Sequence, residues 1–76
     1  MNAVQLKMAR VAAGWGVREL AKAAGVTANT VTRIEKGADA KQSTMDALQK
    51  ALEARQMKFV NADEWSGVMI KQGDET

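Results

Sequence analysis

Along the first two-thirds of the chain, apolar residues return at helical intervals. Val4, Met8, Val11, Ala12 and Trp15 stand at i, i+4, i+7, i+8 and i+11, predicting a first helix over Asn2 to Ala13 with that stripe turned inward. Gly14 and Gly16 interrupt it. Val17, Leu20, Ala21 and Ala24 repeat at i, i+3, i+4 and i+7, so a second helix is predicted from about Val17 to Ala24, closed by Gly25 where a left-handed residue is usual. Thr27 is an expected N-cap, its hydroxyl taking an orphan backbone N–H, for a third helix that continues to about Lys36 before Gly37 stops it. After a polar loop over Ala38 to Gln42, Ser43 and Asp46 form the Ser-x-x-Asp pattern of a helix start. Met45, Leu48 and Leu52 then give a fourth helix its apolar face, ending near Arg55. Leu20, Val31, Ile34, Met45, Leu48 and Leu52 are the expected core.

Past Arg55 the period changes. Met57 to Val60 and Gly67 to Lys71 are short segments rich in Phe, Val and Ile, separated by the turn-forming run Asn61 to Ser66, and together they predict two strands in a hairpin. A lone hairpin is marginal in water, so this one must pack on the helices or pair with another chain. Trp65 fits either arrangement. The fold class expected is mainly α, four helices with a short C-terminal β-hairpin. Residues 1–56 form the helical unit, 57–72 a strand extension, and 73–76 a polar tail expected to be disordered.

Composition narrows the chemistry. The 76 residues include no His and no Cys, which removes disulfides, imidazole and thiolate metal sites, and both the commonest general base and the commonest activated nucleophile. So short a chain also leaves little room for a substrate pocket. No enzymatic activity, cofactor or metal is therefore expected. No stretch approaches the roughly 20 apolar residues of a membrane span, so no membrane association is expected and the protein reads as soluble and intracellular. The net charge of +2 is unevenly spread: residues 1–41 hold seven basic and three acidic groups, residues 42–76 four and six. A basic half points toward a polyanion.

The segment Val17 to Lys36 meets the demands of two helices joined by a tight turn. Ala21 is small where the helices approach, Gly25 supplies the positive φ of the turn, and Val31 and Ile34 anchor the second helix. The outward face of that helix carries Asn29, Thr32, Arg33 and Lys36 at i, i+3, i+4 and i+7. Asn and Arg are the side chains best matched to adenine and guanine edges in the major groove.

Gln5-Leu6-Lys7-Met8-Ala9-Arg10, Gly14-Trp15, Glu19-Leu20-Ala21, Ala24-Gly25-Val26-Thr27 and Thr30-Val31-Thr32-Arg33-Ile34-Glu35-x-Gly37 together resemble the Xre family, the Cro and phage-repressor type of helix-turn-helix, over roughly Val4 to Leu52. The resemblance implies a lambda-repressor-like helical bundle that binds double-stranded DNA, usually as a dimeric repressor on a palindromic operator. It also implies a cytoplasmic, nucleoid-associated protein of bacterial or phage origin. Carried over, it places Thr27, Ala28 and Asn29 at the DNA end of the recognition helix and Thr32 and Arg33 on its next turn. Lys36 and Lys41 are candidates for backbone phosphates, as are the N–H groups that open helices two and four. The family's usual Gln at the start of helix two is Val17 here, and its usual Ser or Thr cap is Gly16; Arg18 is the candidate substitute for that phosphate contact. The resemblance also makes Arg10 and Glu35 an interhelical ion pair, a structural role.

Other positions have plainer readings. Trp15 reads as a packing residue, and Lys7, Lys22, Lys50 and Lys58 as solvated surface. Phe59, Val60, Trp65, Val68 and Ile70 are the candidate dimerisation residues, by extension of a sheet between chains. Two alternatives to a repressor homodimer stay open: an antitoxin whose tail grips a toxin while its helices repress their own operon, and a protein-interaction module that keeps the fold without DNA binding.

Overall fold

The computed structural model describes residues 1–71; the expected tail at 73–76 lies outside the described residues. The chain is mainly helical, with α1 over Ala3–Ala12, α2 over Val17–Ala24, α3 over Ala28–Glu35 and α4 over Gln42–Glu53, followed by strands β1, Met57–Ala62, and β2, Trp65–Ile70. The strands pair antiparallel, with Met57 opposite Ile70 and Ala62 opposite Trp65.

Local chemistry accounts for the ends of these elements. Asn2 caps α1 through a reciprocal box: its side chain accepts from the Gln5 N–H at 2.8 Å, and the Gln5 side chain accepts from the Asn2 N–H at 3.0 Å. Gly25 ends α2 at φ +76°, while the Val26 N–H donates to the Ala21 carbonyl and the Gly25 N–H to the Lys22 carbonyl, the paired bonds of a Schellman close. Thr27 caps α3, its Oγ1 accepting from the Thr30 N–H. Ser43 is not the cap of α4. The helix begins one residue earlier, at Gln42, with Lys41 in the extended cap position and no side-chain cap, and Gln42 donates to Asp46 one turn on.

The core consists of Leu6, Ala9, Leu20, Ala21, Val31, Ile34, Leu48, Leu52 and Met57, all buried. Met45, expected in it, is only half-buried and packs at its edge. The larger difference is in α1. Its buried face is Gln5, Leu6 and Ala9, whereas Val4, Met8 and Val11, expected inward, are 65%, 37% and 62% exposed. At 3.6 residues per turn, Leu6, Ala9 and Ala13 lie about half a turn from the Val4, Met8 and Val11 stripe. The helix is thus apolar on two opposite sides, and the side that also carries Gln5 is the one the fold buries.

Gln5 explains that choice. It is fully buried, and its Nε2 donates to the carbonyls of Val60 and Gly67, each at 3.0 Å, one on each strand of the hairpin. Its amide is satisfied at both ends, as a buried polar group must be. The strands also run further than the sequence predicts. The expected six-residue turn shrinks to Asp63 and Glu64, with Asp63 at φ +54°, and Asn61, Ala62, Trp65 and Ser66 join the ladder. Met57 is buried, and Phe59 and Val68 pack on the helices.

Candidate nucleic-acid interface

Three residues, 25–27, separate α2 from α3, and the Schellman close with the Thr27 cap fixes how one follows the other. Asn29, Arg33 and Lys36 are exposed on α3, and Thr32 is half-buried beside them, so the structure carries all four on one stripe. Among the described residues, none of the four side chains makes an internal hydrogen bond or ion pair, leaving their donors and acceptors for a ligand.

Other expected site residues stand differently. Thr27 is exposed, but its hydroxyl already serves the Thr30 N–H at 3.2 Å and shares a hydrogen bond with Thr30 Oγ1 at 2.9 Å, so it shapes the helix end first. Ala28 is half-buried against the core. Arg18 is exposed on the first turn of α2, while Val17 is half-buried and packs on the core. One of the N–H groups expected free at the start of α2 is not free, because the Gly16 N–H donates to Glu19 Oε1 at 2.8 Å. A Cβ at residue 16 would lie 2.7 Å from that oxygen, the far end of an exposed and flexible side chain that can move aside.

Lys41 comes together with Arg33. Both line a shallow notch of about 300 Å³ between α3 and the start of α4, with Thr30, Thr44 and Asp39 as its other polar members. Thr30 stands one helical turn before Arg33 on α3, whereas Asp39 and Thr44 come beside it only through the path of the chain from α3 into α4, which no spacing in the sequence shows. Two guanidinium or ammonium groups with two hydroxyls suit a phosphate oxygen, and Asp39 biases the notch against a second anion.

Behind this face, Arg10 Nε and Nη2 donate to the two Glu35 oxygens at 2.7 and 3.1 Å, and Nη1 donates to the Trp15 carbonyl at 3.0 Å. The pair ties α1 to the end of α3. Its hydrogen bond to Glu35 holds the Arg10 guanidinium above its ordinary pKa, against the effect of burial, and the Glu35 charge adds to the rise. Trp15 is half-buried, and the Arg55 guanidinium lies 5.2 Å from its ring centroid.

A family model described as a helix-turn-helix domain matches residues 3–57. The chain belongs to this helix-turn-helix domain family. The family's domain is of DNA-binding type, which suggests transcriptional regulation as the class of function. The match takes in all four helices and ends at Met57, so nearly the whole hairpin of this helix-turn-helix protein lies beyond the matched span. No curated protein and no solved structure matches the chain. Among the described residues no helix is long and apolar enough to cross a membrane.

Of the five candidate dimerisation residues, Phe59 and Val68 are half-buried and pack against the core. Val60, Trp65 and Ile70 are exposed. By the strand register, Val60, Ala62, Trp65, Gly67 and Met69 share the outward face with Lys58. Trp65, at 79% exposed, does not pack on the helices.

Proposed function

We propose that this helix-turn-helix domain is a sequence-specific transcriptional repressor of the Xre and Cro type, binding a palindromic operator as a homodimer with α3 in the major groove. The observation that carries the reading is the unpartnered Asn29, Thr32, Arg33 and Lys36 stripe on α3, with Arg33 and Lys41 sharing a notch. Asn29 has the geometry to take adenine N6 and N7 bidentately, and Arg33 guanine O6 and N7 or a phosphate. Ala28 and the Thr32 methyl supply contacts for a thymine methyl. Lys36, Lys41 and Arg18 bind phosphates, which set position without reading sequence.

A single domain offers few phosphate contacts, and a two-fold dimer doubles them while matching the symmetry of a palindrome. The outward face of the hairpin supplies an apolar surface for that association. Selection of bound sites from random DNA tests the reading. An inverted repeat with half-site centres about 10 base pairs apart is expected. Failure to enrich any motif would overturn it.

The same apolar hairpin, lying beyond the family match, also fits an antitoxin that grips a toxin. A toxin gene beside this one, or a second small protein that co-purifies, distinguishes that case.

A further inference from the structure

The Lys71 N–H donates to the Gln56 carbonyl at 3.0 Å, which makes Gln56 and Lys71 a hydrogen-bonded pair at the foot of the hairpin. An antiparallel ladder alternates, so Lys58–Met69, Val60–Gly67 and Ala62–Trp65 are hydrogen-bonded pairs as well. In the pairs between them, Ser66, Val68 and Ile70 turn their N–H and C=O groups away from β1, toward the open edge of β2. Among the described residues no backbone bond outside the ladder reaches those groups, and Gln5 bonds carbonyls that lie between the strands.

The two edges of the hairpin differ. That of β1 starts at Met57, which is only 4% exposed, so its first backbone groups are covered. Along β2, Ser66 and Ile70 are exposed and Val68 between them is half-buried. Solitary edges are commonly guarded by a charge, a proline or a bulge. The β2 segment Trp65–Ile70 has none of these: its six residues are uncharged and run in unbroken register.

We infer that β2 pairs antiparallel with β2 of a second copy of this chain, about a two-fold axis through Val68. The inference rests on the homodimer reading above and specifies its strand and register. A strand paired antiparallel with itself is isologous, and an axis normal to the sheet keeps the two outward faces on one side. Centred on Val68, the pairing sets Ser66 opposite the partner's Ile70, so every outward N–H and C=O of Ser66, Val68 and Ile70 is satisfied. On the outward face Gly67 comes opposite the partner's Met69, an open position beneath a long and flexible side chain. Trp65 comes opposite the partner's Lys71, an ammonium for its ring face, with the acidic turn Asp63-Glu64 adjoining. Lys71 is exposed and forms no ion pair among the described residues. An axis through Gly67 would satisfy fewer groups, since Ser66 would meet the partner's Val68 and Ile70 would face the turn at Glu64.

Sedimentation equilibrium and disulfide cross-linking test it, on a chain that has no cysteine of its own. Ile70→Pro removes an N–H that points to the open edge and none that bonds within the hairpin; Asn61→Pro does the same on β1. Circular dichroism checks that each folds. Ile70→Pro is expected to weaken the dimer about tenfold or more, and Asn61→Pro to change it by less than about twofold. In an oxidised mixture of Gly67→Cys and Met69→Cys chains, the 67–69 disulfide should form in preference to 67–67 and 69–69. A Cβ at residue 67 meets no atom within 4 Å, so this probe needs no proline to be tolerated. If the wild type is a dimer but a folded Ile70→Pro leaves it intact, or 67–67 or 69–69 linkage predominates, the β2 pairing is wrong and the homodimer reading survives. A wild type that stays monomeric at micromolar concentration, with or without its selected DNA, overturns both.

Discussion

Replacing Glu35 with Leu tests how α1 and α3 are held together. The Arg10 and Glu35 side chains are only 14% and 10% exposed, and the guanidinium bonds both carboxylate oxygens. Removing the carboxylate leaves a part-buried cation with the Trp15 carbonyl as its remaining acceptor. Breaking a buried pair on one side costs about 3–5 kcal/mol, against less than 1 kcal/mol for an exposed pair. At this degree of exposure the low end, about 3 kcal/mol, is expected, and for a domain of this size it lowers Tm by roughly 12–24 °C. The double variant Arg10→Met/Glu35→Leu should recover at least half of the loss, because the cation that lacked a partner is gone. Arg10 titrates above its ordinary value in the folded chain, so its contribution is fully present below the unfolded value and is lost only as pH climbs through the higher folded one. The increment from the Arg10 charge should therefore stay constant across neutral and mildly alkaline pH. Urea unfolding of the four chains of the double-mutant cycle measures this. A loss below about 1 kcal/mol for Glu35→Leu, or a loss abolished by moderate salt, would refute a buried link.

Three further substitutions probe the scaffold. Gln5→Leu removes three hydrogen bonds at one buried site and should cost about 2–3 kcal/mol by urea unfolding, with amide exchange accelerated in the hairpin more than in α3 or α4. Gly25→Ala meets no atom within 4 Å, so its expected cost of about 1 kcal/mol is purely that of holding alanine at positive φ. Gln56, a non-glycine residue at φ +64° between α4 and β1, should become more favourable as Gly, by about 0.5–1 kcal/mol in the same assay.

The limits of α2 and α3 are legible because single residues set them: Gly25 must take positive φ, and Thr27 must cap. The identity of the groups along the outward stripe of α3 is legible for the same reason, since helical spacing alone puts Asn29, Thr32, Arg33 and Lys36 together. The orientation of α1 is not. Both of its sides are apolar, and the choice between them depends on whether Gln5 finds carbonyls to bond, which only the folded hairpin supplies. The start of α4 misleads because Ser43 and Asp46 have the spacing of a cap, whereas Gln42 takes Asp46 as its own partner. The notch sets Thr30 and Arg33, one turn apart on α3, beside Asp39, Lys41 and Thr44 from the segment that follows, and that juxtaposition leaves no periodic trace in the sequence.

Whether α3 reads DNA is measured by salt-titrated binding to the selected operator and to random DNA, with wild-type chain beside Asn29→Ala and Arg33→Ala. Wild-type affinity is expected to fall steeply with salt. Each substitution should weaken operator binding by about 1–3 kcal/mol and random-DNA binding by less. Wild-type chain that shows no salt-dependent DNA binding, or variants that bind the operator as tightly as wild type, would contradict it.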